Sequence, residues 1–309
     1  ETVLEGVPSI RAAHQIQAVS IGYDGKLYVN FGDGMVDPSV AQDDNDLRGK
    51  ILRLNLDGSV PSDNPNPPSP IFAKGLRNPF GATWRKSNQS LYVSDNGPAY
   101  DDRIARIDAG KNYGWPMSMR TNSIFWWEFT QAPTALAFMQ DGQFSHTYHD
   151  ELFVALFGAA NAKGRSPKGK KIVKLHLGED DKGVSSEDSF VIYVGEGPAS
   201  PCGLAFGPGG LYFTDLFGEL DDPARAPVGS VYRVRARGRV PDTPENFAQC
   251  ICRNCPTHDG CMKERMQGLF CARGKSDCDF ERKGCICGEC PLATNYRLVD
   301  YYYCDIGEA

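Results

Sequence analysis

A run of apolar strands separated by turn residues recurs along this chain about every 60 residues. The template is residues 22–56, in which a turn, an apolar strand, a polar loop and a second apolar strand follow one another. The first strand returns around Leu27, Leu91, Leu152 and Leu211, and the second begins at Ile51, Ile104, Ile172 and Val231. A fixed period of this kind indicates one supersecondary unit stacked on copies of itself. At this length per unit, the best interpretation is the four-stranded blade of a β-propeller.

The pattern divides the first part of the chain into four blade-like units, at residues 14–58, 71–115, 133–178 and about 189–237. The aromatic-rich residues between the second and third units are interpreted as an excursion of the chain outside the blades. Closed propellers typically have ~4–8 blades, so four is the lower limit. Either four blades close the ring or further blades precede Glu1. Because residues 1–10 resemble an outer strand, we expect further blades, either removed from this chain or supplied by a second chain.

Composition and charge argue against nucleic-acid binding and against a membrane-spanning helix. The chain has 309 residues and a net charge of −6, and its Lys and Arg are dispersed, which argues against a nucleic-acid footprint. No apolar run approaches the ~18 residues that a membrane span requires. Since there is no initiator Met and no signal peptide, we interpret the chain as processed or truncated.

The cysteines are distributed very unevenly. Ten of the 11 lie between Cys250 and Cys304, and only Cys202 lies among the repeats. This asymmetry predicts a propeller over residues 1–238, a linker over residues 239–249 and a small cysteine-rich domain over residues 250–309.

The cysteine-rich segment contains one motif twice. C-x-C-x₂-C-P begins at Cys250 and again 35 residues later at Cys285, and one distal cysteine follows each copy. The result is two sets of four, with Cys261 and Cys278 left over: Cys250, Cys252, Cys255 and Cys271, then Cys285, Cys287, Cys290 and Cys304. Thiolates at this spacing can converge on a metal, so two iron–sulfur clusters or two Zn²⁺ ions are one interpretation. Disulfides are the other, because ten is an even number and so short a segment cannot build a large core.

The cysteine-rich segment resembles an uncharacterised family known mainly from archaea, to which no role is assigned. The repeat region carries an ordered series of motifs, HQIQAVSIGYDGKLYVNFGDG from residue 14, GLRNPFGATW from residue 75 and NGPAYDDRIARIDAGKNYGWP from residue 96. This series resembles the soluble glucose/sorbosone dehydrogenase family. Residues 151–175, ELFVALFGAANAKGRSPKGKKIVKL, resemble its sorbosone branch.

The family resemblance spans about residues 1–238 and implies an all-β fold, a six-bladed propeller of which about four blades are visible here. It also implies pyrroloquinoline quinone (PQQ) and calcium as cofactors. Propellers of this type are generally exported, so the resemblance implies an extracytoplasmic or secreted protein.

The resemblance also assigns roles to individual residues. His14 takes the position of the base that removes a proton from a sugar hydroxyl, a task that suits a neutral imidazole. Arg77 takes the position of the cation beside the quinone oxygens, with Asn78 as a neighbouring contact of the cofactor. Lys163 and Arg165 lie in an insertion of the third unit. That insertion is either a solvated loop or a loop over the pocket mouth that contacts the cofactor.

Calcium needs hard oxygen ligands, and the resemblance places these at Gly97, Pro98, Asp102 and Tyr113. Here the chain departs from the family pattern, because Arg103 stands where the family usually has a ligating Glu. A guanidinium cannot bind Ca²⁺ and would repel it.

Two further pocket positions have changed. Phe157 stands where sorbosone-type relatives often carry His, and Ser200 replaces the Arg of an expected Arg-Pro pair. Two hypotheses follow. The first is a PQQ-dependent oxidation of a sugar or other polyol, with an external electron-acceptor protein and the cysteine-rich domain as electron relay or docking module. The second is a non-catalytic extracellular propeller with a disulfide-stapled or metal-binding interaction domain.

Overall fold

The computed structural model describes residues 2–8, 13–140, 148–158, 169–178, 183–193, 200–207, 210–216, 229–234, 240–298 and 300–307. The chain divides into two compact units, Glu1–Val234 and Arg235–Ala309. No helix in the described part of the chain is long and apolar enough to cross a membrane.

The described residues of the first unit contain fifteen strands in four antiparallel sheets, and the strands of each sheet follow one another along the chain. The first sheet consists of β1 Ile16–Ile21, β2 Leu27–Phe31, β3 Lys50–Leu54 and β4 Ile71–Lys74, with a 3₁₀ helix, Pro38–Gln42, between β2 and β3. The second consists of β5 Pro79–Arg85, β6 Ser90–Asp95, β7 Tyr100–Ile107 and β8 Phe125–Phe129.

The third sheet consists of β9 Pro133–Phe138, β10 Leu152–Leu156, β11 Lys171–Leu177 and β12 Val184–Ile192. The fourth has β13 Pro201–Gly207, β14 Gly210–Asp215 and β15 Ser230–Val234. First strands of successive sheets contact one another, β1 with β5, β5 with β9 and β9 with β13. This is the arrangement of propeller blades around an axis, and the predicted all-β propeller is confirmed.

The repeated strands lie where the sequence pattern placed them. The four repeated leucines occupy β2, β6, β10 and β14, the second strand of each sheet, and the other repeated segment forms the third strand. These strands were predictable because apolar side chains are buried on both faces; every residue of β10, for example, is buried.

The outer strands were placed wrongly from the sequence. Residues 71–74 belong to the first sheet as β4, whereas the sequence pattern assigned them to the second unit. The supposed aromatic excursion contains β8, and β12 belongs to the third sheet. Most residues of β8 and β12 are only half-buried or exposed, so these strands lack the apolar signal on which the division rested. Residues 2–8 form no strand, so the expected outer strand at the start of the chain is also wrong.

The core of the first unit lies between neighbouring sheets. One apolar cluster joins the first two sheets, and its aromatic centre is Tyr28 edge-on to Trp84, with ring centroids 4.9 Å apart. A second cluster joins the second and third sheets through Tyr92 and Phe138, 5.0 Å apart. Burying a large apolar side chain contributes ~1.5–3 kcal/mol, so the blades are held together mainly by these faces.

The second unit is built from short helical segments. Its described residues contain α1 Pro244–Gln249, α2 Gly260–Glu264, α3 Phe270–Arg273, α4 Pro291–Asn295 and α5 Tyr303–Ile306, with 3₁₀ turns at Cys252–Asn254 and Cys287–Glu289. Cysteines and aromatic residues share its core with Met262, Leu269 and Leu292.

Lys50, at the start of β3, is a lysine with no exposed surface. Its ammonium donates hydrogen bonds to the main-chain oxygens of Val40, at 2.7 Å, and Arg48, at 2.8 Å. Burial disfavours the charged form and lowers the pKa of Lys50 to about 8.

We expect this lysine to make stability depend on pH in a defined window. Between about pH 8 and pH 10.5, the unfolded chain binds a proton at Lys50 that the folded chain has released, so the free energy of unfolding rises with pH. The rise should be on the order of 3 kcal/mol in the native protein and absent in Lys50→Met. Urea denaturation at several pH values measures it, with Lys26→Met as the control. An equal slope in the native protein and in Lys50→Met would contradict the assignment.

Candidate active site

His14, just before β1, is held by the residues that follow β2. Its side chain is 8 % exposed, and its Nδ1 lies 2.7 Å from Oδ1 of Asp33. The Gly34 N–H donates to the His14 carbonyl at 3.2 Å. A Cβ on Gly32 would come within 2.6 Å of that same carbonyl oxygen, so only glycine permits this close approach.

The Asp33 carboxylate is fixed on both oxygens. Its Oδ1 also accepts the Met35 N–H at 3.0 Å, and its Oδ2 accepts the indole N–H of Trp115 at 2.9 Å. Burial acts to raise the pKa of Asp33, but the hydrogen bonds from His14, Met35 and Trp115 outweigh it and hold the pKa below its usual value. Asp33 is therefore an acceptor, and His14 carries its proton on Nδ1.

This tautomer leaves a lone pair on Nε2 of His14. Among the described residues, Nε2 has no hydrogen-bond partner. A carboxylate-oriented imidazole with a free second nitrogen is the arrangement that general bases use.

Arg77, between β4 and β5, lies next to the same tryptophan. Its guanidinium carbon is 5.4 Å from the centre of the Trp115 ring, and the Arg77 carbonyl accepts the Asp33 N–H at 2.8 Å. Nη1 donates to the main-chain oxygens of Asn96 and Gly97 at 2.9 and 2.8 Å. Its Nε and Nη2 groups donate to no other described residue. The structure thus brings the two residues predicted to be catalytic, His14 and Arg77, into one chain of contacts.

Polar groups next to Arg77 are also available to a ligand. The Asn78 side chain is 8 % exposed and accepts a hydrogen bond from Gln17 at 3.1 Å. The buried Oδ1 of Asn96 accepts no hydrogen bond from any described residue. The spare N–H donors of Arg77 suit the anionic oxygens of a ligand such as PQQ, and the free Asn96 oxygen suits an N–H or O–H donor of a bound molecule, so these residues fit the cofactor.

Arg103 and Asp95 form a fully buried ion pair below this site, both with no exposed side-chain surface. The Arg103 Nε and Nη2 donate to Asp95 Oδ2 at 3.0 and 2.6 Å. The other N–H groups bind the main-chain oxygens of Gly75, Tyr113 and Met119. The guanidinium therefore fixes the segment that carries Trp115.

Asp95 fixes the segment that carries Arg77. Its Oδ1 accepts the main-chain N–H of Asn78 at 2.7 Å and that of Arg77 at 3.2 Å. One buried ion pair thus holds two loops in register.

The expected calcium ligands have other partners. Asp102 is fully buried, and its Oδ1 accepts the Gly97 N–H at 2.7 Å. Its Oδ2 accepts the Thr130 hydroxyl at 2.9 Å and the N–H groups of Gln131 and Ala132 at 2.6 and 2.7 Å. This carboxylate ties β7 to the start of β9 and is satisfied without a metal.

Tyr113 is likewise committed to the protein. Its hydroxyl donates to the Arg106 carbonyl at 2.6 Å and accepts the Asp108 N–H at 2.9 Å. Burial raises its pKa, so the group stays a neutral phenol. Its main-chain oxygen binds Arg103, and the Gly97 oxygen binds Arg77. Since guanidinium groups already occupy these oxygens and Pro98 is exposed, the donor set does not fit Ca²⁺.

The other two positions that differ from the family pattern flank strands of the third and fourth sheets, since Phe157 follows β10 and Ser200 precedes β13. The Phe157 N–H donates to the Ala132 carbonyl at 2.9 Å, and Ser200 is fully buried, its carbonyl accepting the Leu216 N–H at 3.1 Å. Lys163 and Arg165 lie outside the described residues.

Sequence reasoning missed Asp33, Trp115 and Asp95. A signal for Asp33 was present, since it follows β2 directly between two glycines. Asp95 stands four residues after a repeated leucine, as Asp215 does in the fourth sheet. An aspartate at corresponding places of two units would have indicated a shared role at the ends of these strands.

The eight cysteines of the two predicted sets line one cavity of about 40 Å³ in the second unit. The two left over, Cys261 and Cys278, form a disulfide, and the other nine cysteines of the chain, all in described residues, are free thiols. The interpretation in which all ten cysteines of this segment form disulfides is therefore wrong. Within the described ranges, no three His, Cys, Asp or Glu side chains are grouped to hold one metal ion.

Comparison with protein families finds two matches. The family model described as Glucose / Sorbosone dehydrogenase matches residues 1–187, and one described as Protein of unknown function (DUF2769) matches residues 250–305. Quinoprotein glucose dehydrogenase B of Acinetobacter calcoaceticus is 39 % identical over a match covering 37 % of this chain and 28 % of that protein. Aldose sugar dehydrogenase YliI of Escherichia coli (strain K12) is 26 % identical, with 56 % and 53 % covered. The chain thus spans about a quarter to a half of these relatives.

Two solved structures share the fold. A putative oxidoreductase (glucose dehydrogenase) of Thermus thermophilus superposes with a TM-score of 0.60 at 27 % identity, over 75 % of this chain and 68 % of that one. The PQQ-bound aldose sugar dehydrogenase of Streptomyces coelicolor gives 0.59 at 23 % identity, over 75 % and 64 %.

We expect the Arg103–Asp95 pair to be essential to stability. Arg103→Met leaves the Asp95 carboxylate buried without its cation, which should lower the free energy of unfolding by ~3–5 kcal/mol. Guanidinium chloride denaturation measures the change. Arg120→Met is the control, because the Arg120 side chain is half exposed in its pair with Asp101 and water screens this ion pair, so the substitution should change stability little. Equal effects of the two substitutions would contradict this role.

Proposed function

The chain belongs to the glucose/sorbosone dehydrogenase family, and on that premise we propose that it takes part in PQQ-dependent oxidation of a sugar or related polyol hydroxyl. The residues that carry the proposal lie in the propeller unit, to which we assign residues 1–238. Its relatives include sugar dehydrogenases, which supports sugar oxidation as the general chemistry.

The observation that carries this proposal is the His14–Asp33 pair with its free Nε2. Oxidation of an alcohol removes a hydride from carbon and a proton from oxygen. His14 Nε2 takes that proton, and Asp33, 2.7 Å from Nδ1, stabilises the imidazolium that forms. The Trp115 and Met35 N–H groups keep Asp33 ionised and oriented, so that the imidazole remains aimed at one point.

Arg77 supplies fixed positive charge beside the base. Bound PQQ supplies the hydride acceptor, whose oxygens gain negative charge during the reaction. The Arg77 guanidinium is already held by two carbonyls and the Trp115 ring, so little reorganisation is needed when that charge develops. Asn78, and Lys163 and Arg165 if their loop lies over the pocket, would contact the cofactor.

No step of this proposal uses calcium, because Arg77 and Arg103 occupy the oxygens on which the family pattern relies. Two electrons leave the site for an external acceptor protein, with the cysteine-rich unit as relay or docking module. A second chain that contributes blades to the ring is a further proposed partner, since four sheets are the lower limit for a closed propeller. By resemblance to exported propellers, we place the protein outside the cytoplasm.

A second candidate is a non-catalytic propeller that binds a partner through its cysteine-rich unit. The replacement of the calcium site by the Arg103 network favours it. The two candidates differ in whether the chain binds PQQ.

Dye-linked oxidation of aldoses by the full chain with added PQQ tests the first candidate. We expect activity in the native chain, and a loss of ~10²–10⁴-fold in both His14→Gln and Asp33→Asn, with PQQ binding by calorimetry unchanged. His176→Gln is the matched control, since His176 also pairs with a carboxylate, Glu151 at 2.8 Å, but is 55 % exposed and outside the site.

Failure of the native chain to bind PQQ would overturn the proposal and support the binding module. Full activity in His14→Gln would remove His14 as the base.

A further inference from the structure

The cysteine-rich unit is a structural duplication. The two 3₁₀ turns, Cys252–Asn254 and Cys287–Glu289, are each closed by the same main-chain hydrogen bond, at 3.0 Å from the Cys255 N–H to Cys252 and at 3.1 Å from the Cys290 N–H to Cys287. Each turn follows the first cysteine of its motif. The sequence repeat is therefore also a repeat of backbone geometry.

The distal cysteines sit on equivalent helices. Leu269 before α3 and Tyr302 before α5 both adopt the left-handed conformation, with φ of 55° and 58°. The Leu269 N–H donates to the Cys250 sulfur and the Tyr302 N–H to the Cys285 sulfur, both at 3.2 Å. Main-chain N–H groups aimed at cysteine sulfurs stabilise the thiolate form, which is the form that binds metals.

The third cysteine of the first motif lies against the second motif. Cys255 donates from its thiol to the Gly284 carbonyl at 3.5 Å, directly beside Cys285. Thr257 tightens this crossing, since its hydroxyl accepts the Lys283 N–H at 3.0 Å. The duplication predicts that Cys290 lies correspondingly against the first motif.

A buried histidine adds an independent sign of a ligand in the cavity. His258 lines the cavity and is 4 % exposed. Its Nε2 lies 2.9 Å from the Gln267 carbonyl and so carries the proton, while its buried Nδ1 has no hydrogen-bond partner among the described residues. A buried lone pair with no donor is costly in a finished core, and a hydrogen-bond donor or a metal ion in the cavity would satisfy it.

We propose that the eight cysteines form two iron–sulfur cluster sites that exchange their third cysteine. The first site consists of Cys250, Cys252, Cys271 and Cys290, and the second of Cys285, Cys287, Cys304 and Cys255.

Cluster chemistry suits the spacing of these sulfurs. A single Zn²⁺ needs four sulfurs about 2.3 Å from one point, and no such grouping exists among the described side chains. In a cluster each thiolate binds its own iron, so the sulfurs stay further apart. Two-cluster bacterial ferredoxins likewise exchange one cysteine between sites. Each thiol releases its proton when it binds ferrous iron, added sulfide supplies the bridging atoms, and a stoichiometric one-electron oxidant such as ferricyanide takes up the electrons that some of the ferrous irons lose.

Anaerobic reconstitution of the full chain with ferrous iron and sulfide tests the proposal, with bound iron, acid-labile sulfide and the visible spectrum as readouts. Cys250→Ser/Cys290→Ser removes two ligands from one site, so about half of the iron should remain. Cys250→Ser/Cys255→Ser removes one ligand from each site, so under about a tenth should remain. Cys202→Ser, in the first unit, is the control and should bind as the native chain does.

The opposite pattern in the two double variants would overturn the exchange. A native chain that binds no iron, or binds zinc alone, would overturn the cluster sites. A measurement on the native apoprotein guards against variants that fail to fold: a short bifunctional thiol reagent followed by peptide mass spectrometry. Links of Cys255 to Cys285 or Cys304 are expected, whereas links of Cys255 only to Cys250 or Cys271 would contradict the assignment.

Discussion

The candidate site depends on one buried ion pair, Arg103 with Asp95. Removing both charges from water costs several kcal/mol per ion, and the cost is offset only when every remaining donor and acceptor is satisfied. Here the guanidinium binds the carbonyls of Gly75, Tyr113 and Met119, and the carboxylate accepts the main-chain N–H groups of Arg77 and Asn78. The pair is therefore the fixed point from which both the cation and Trp115 take their positions. The buried Arg103 guanidinium is thus the internal positive charge that holds these loops together.

The sequence predicted the parts of the fold that rest on apolar periodicity. The second and third strands of each sheet could be read directly, whereas β8 and β12 could not, because exposed outer strands carry little periodic signal. His14, Arg77 and Asn78 were found through motifs and do lie together. Trp115 was missed because its hydrogen bond to Asp33 joins residues 82 positions apart, and no local pattern marks such a contact.

The cysteine-rich unit shows a different limit of sequence reasoning. The duplicated motif was plain in the sequence, and so was the fact that two cysteines fell outside it; the structure joins those two in a disulfide. The position of Cys255 beside Gly284 was not readable, since linear order places Cys255 in the first motif. The number and spacing of the cysteines indicate how many sets of four can form. Only tertiary contacts show which cysteines of the two motifs lie together.

The close packing of the first two sheets has a mechanical consequence. Several hydrogen bonds cross from one sheet to the other at the site, among them Asn30 to the Pro79 carbonyl at 3.1 Å and the Asp33 N–H to the Arg77 carbonyl at 2.8 Å. His14 belongs to one sheet and Arg77 to the other, so any sliding of one sheet past its neighbour changes the distance between them. Since misplacement by about 1 Å can slow a reaction ~10²-fold, the proposed oxidation would require this joint between the sheets to be stiff.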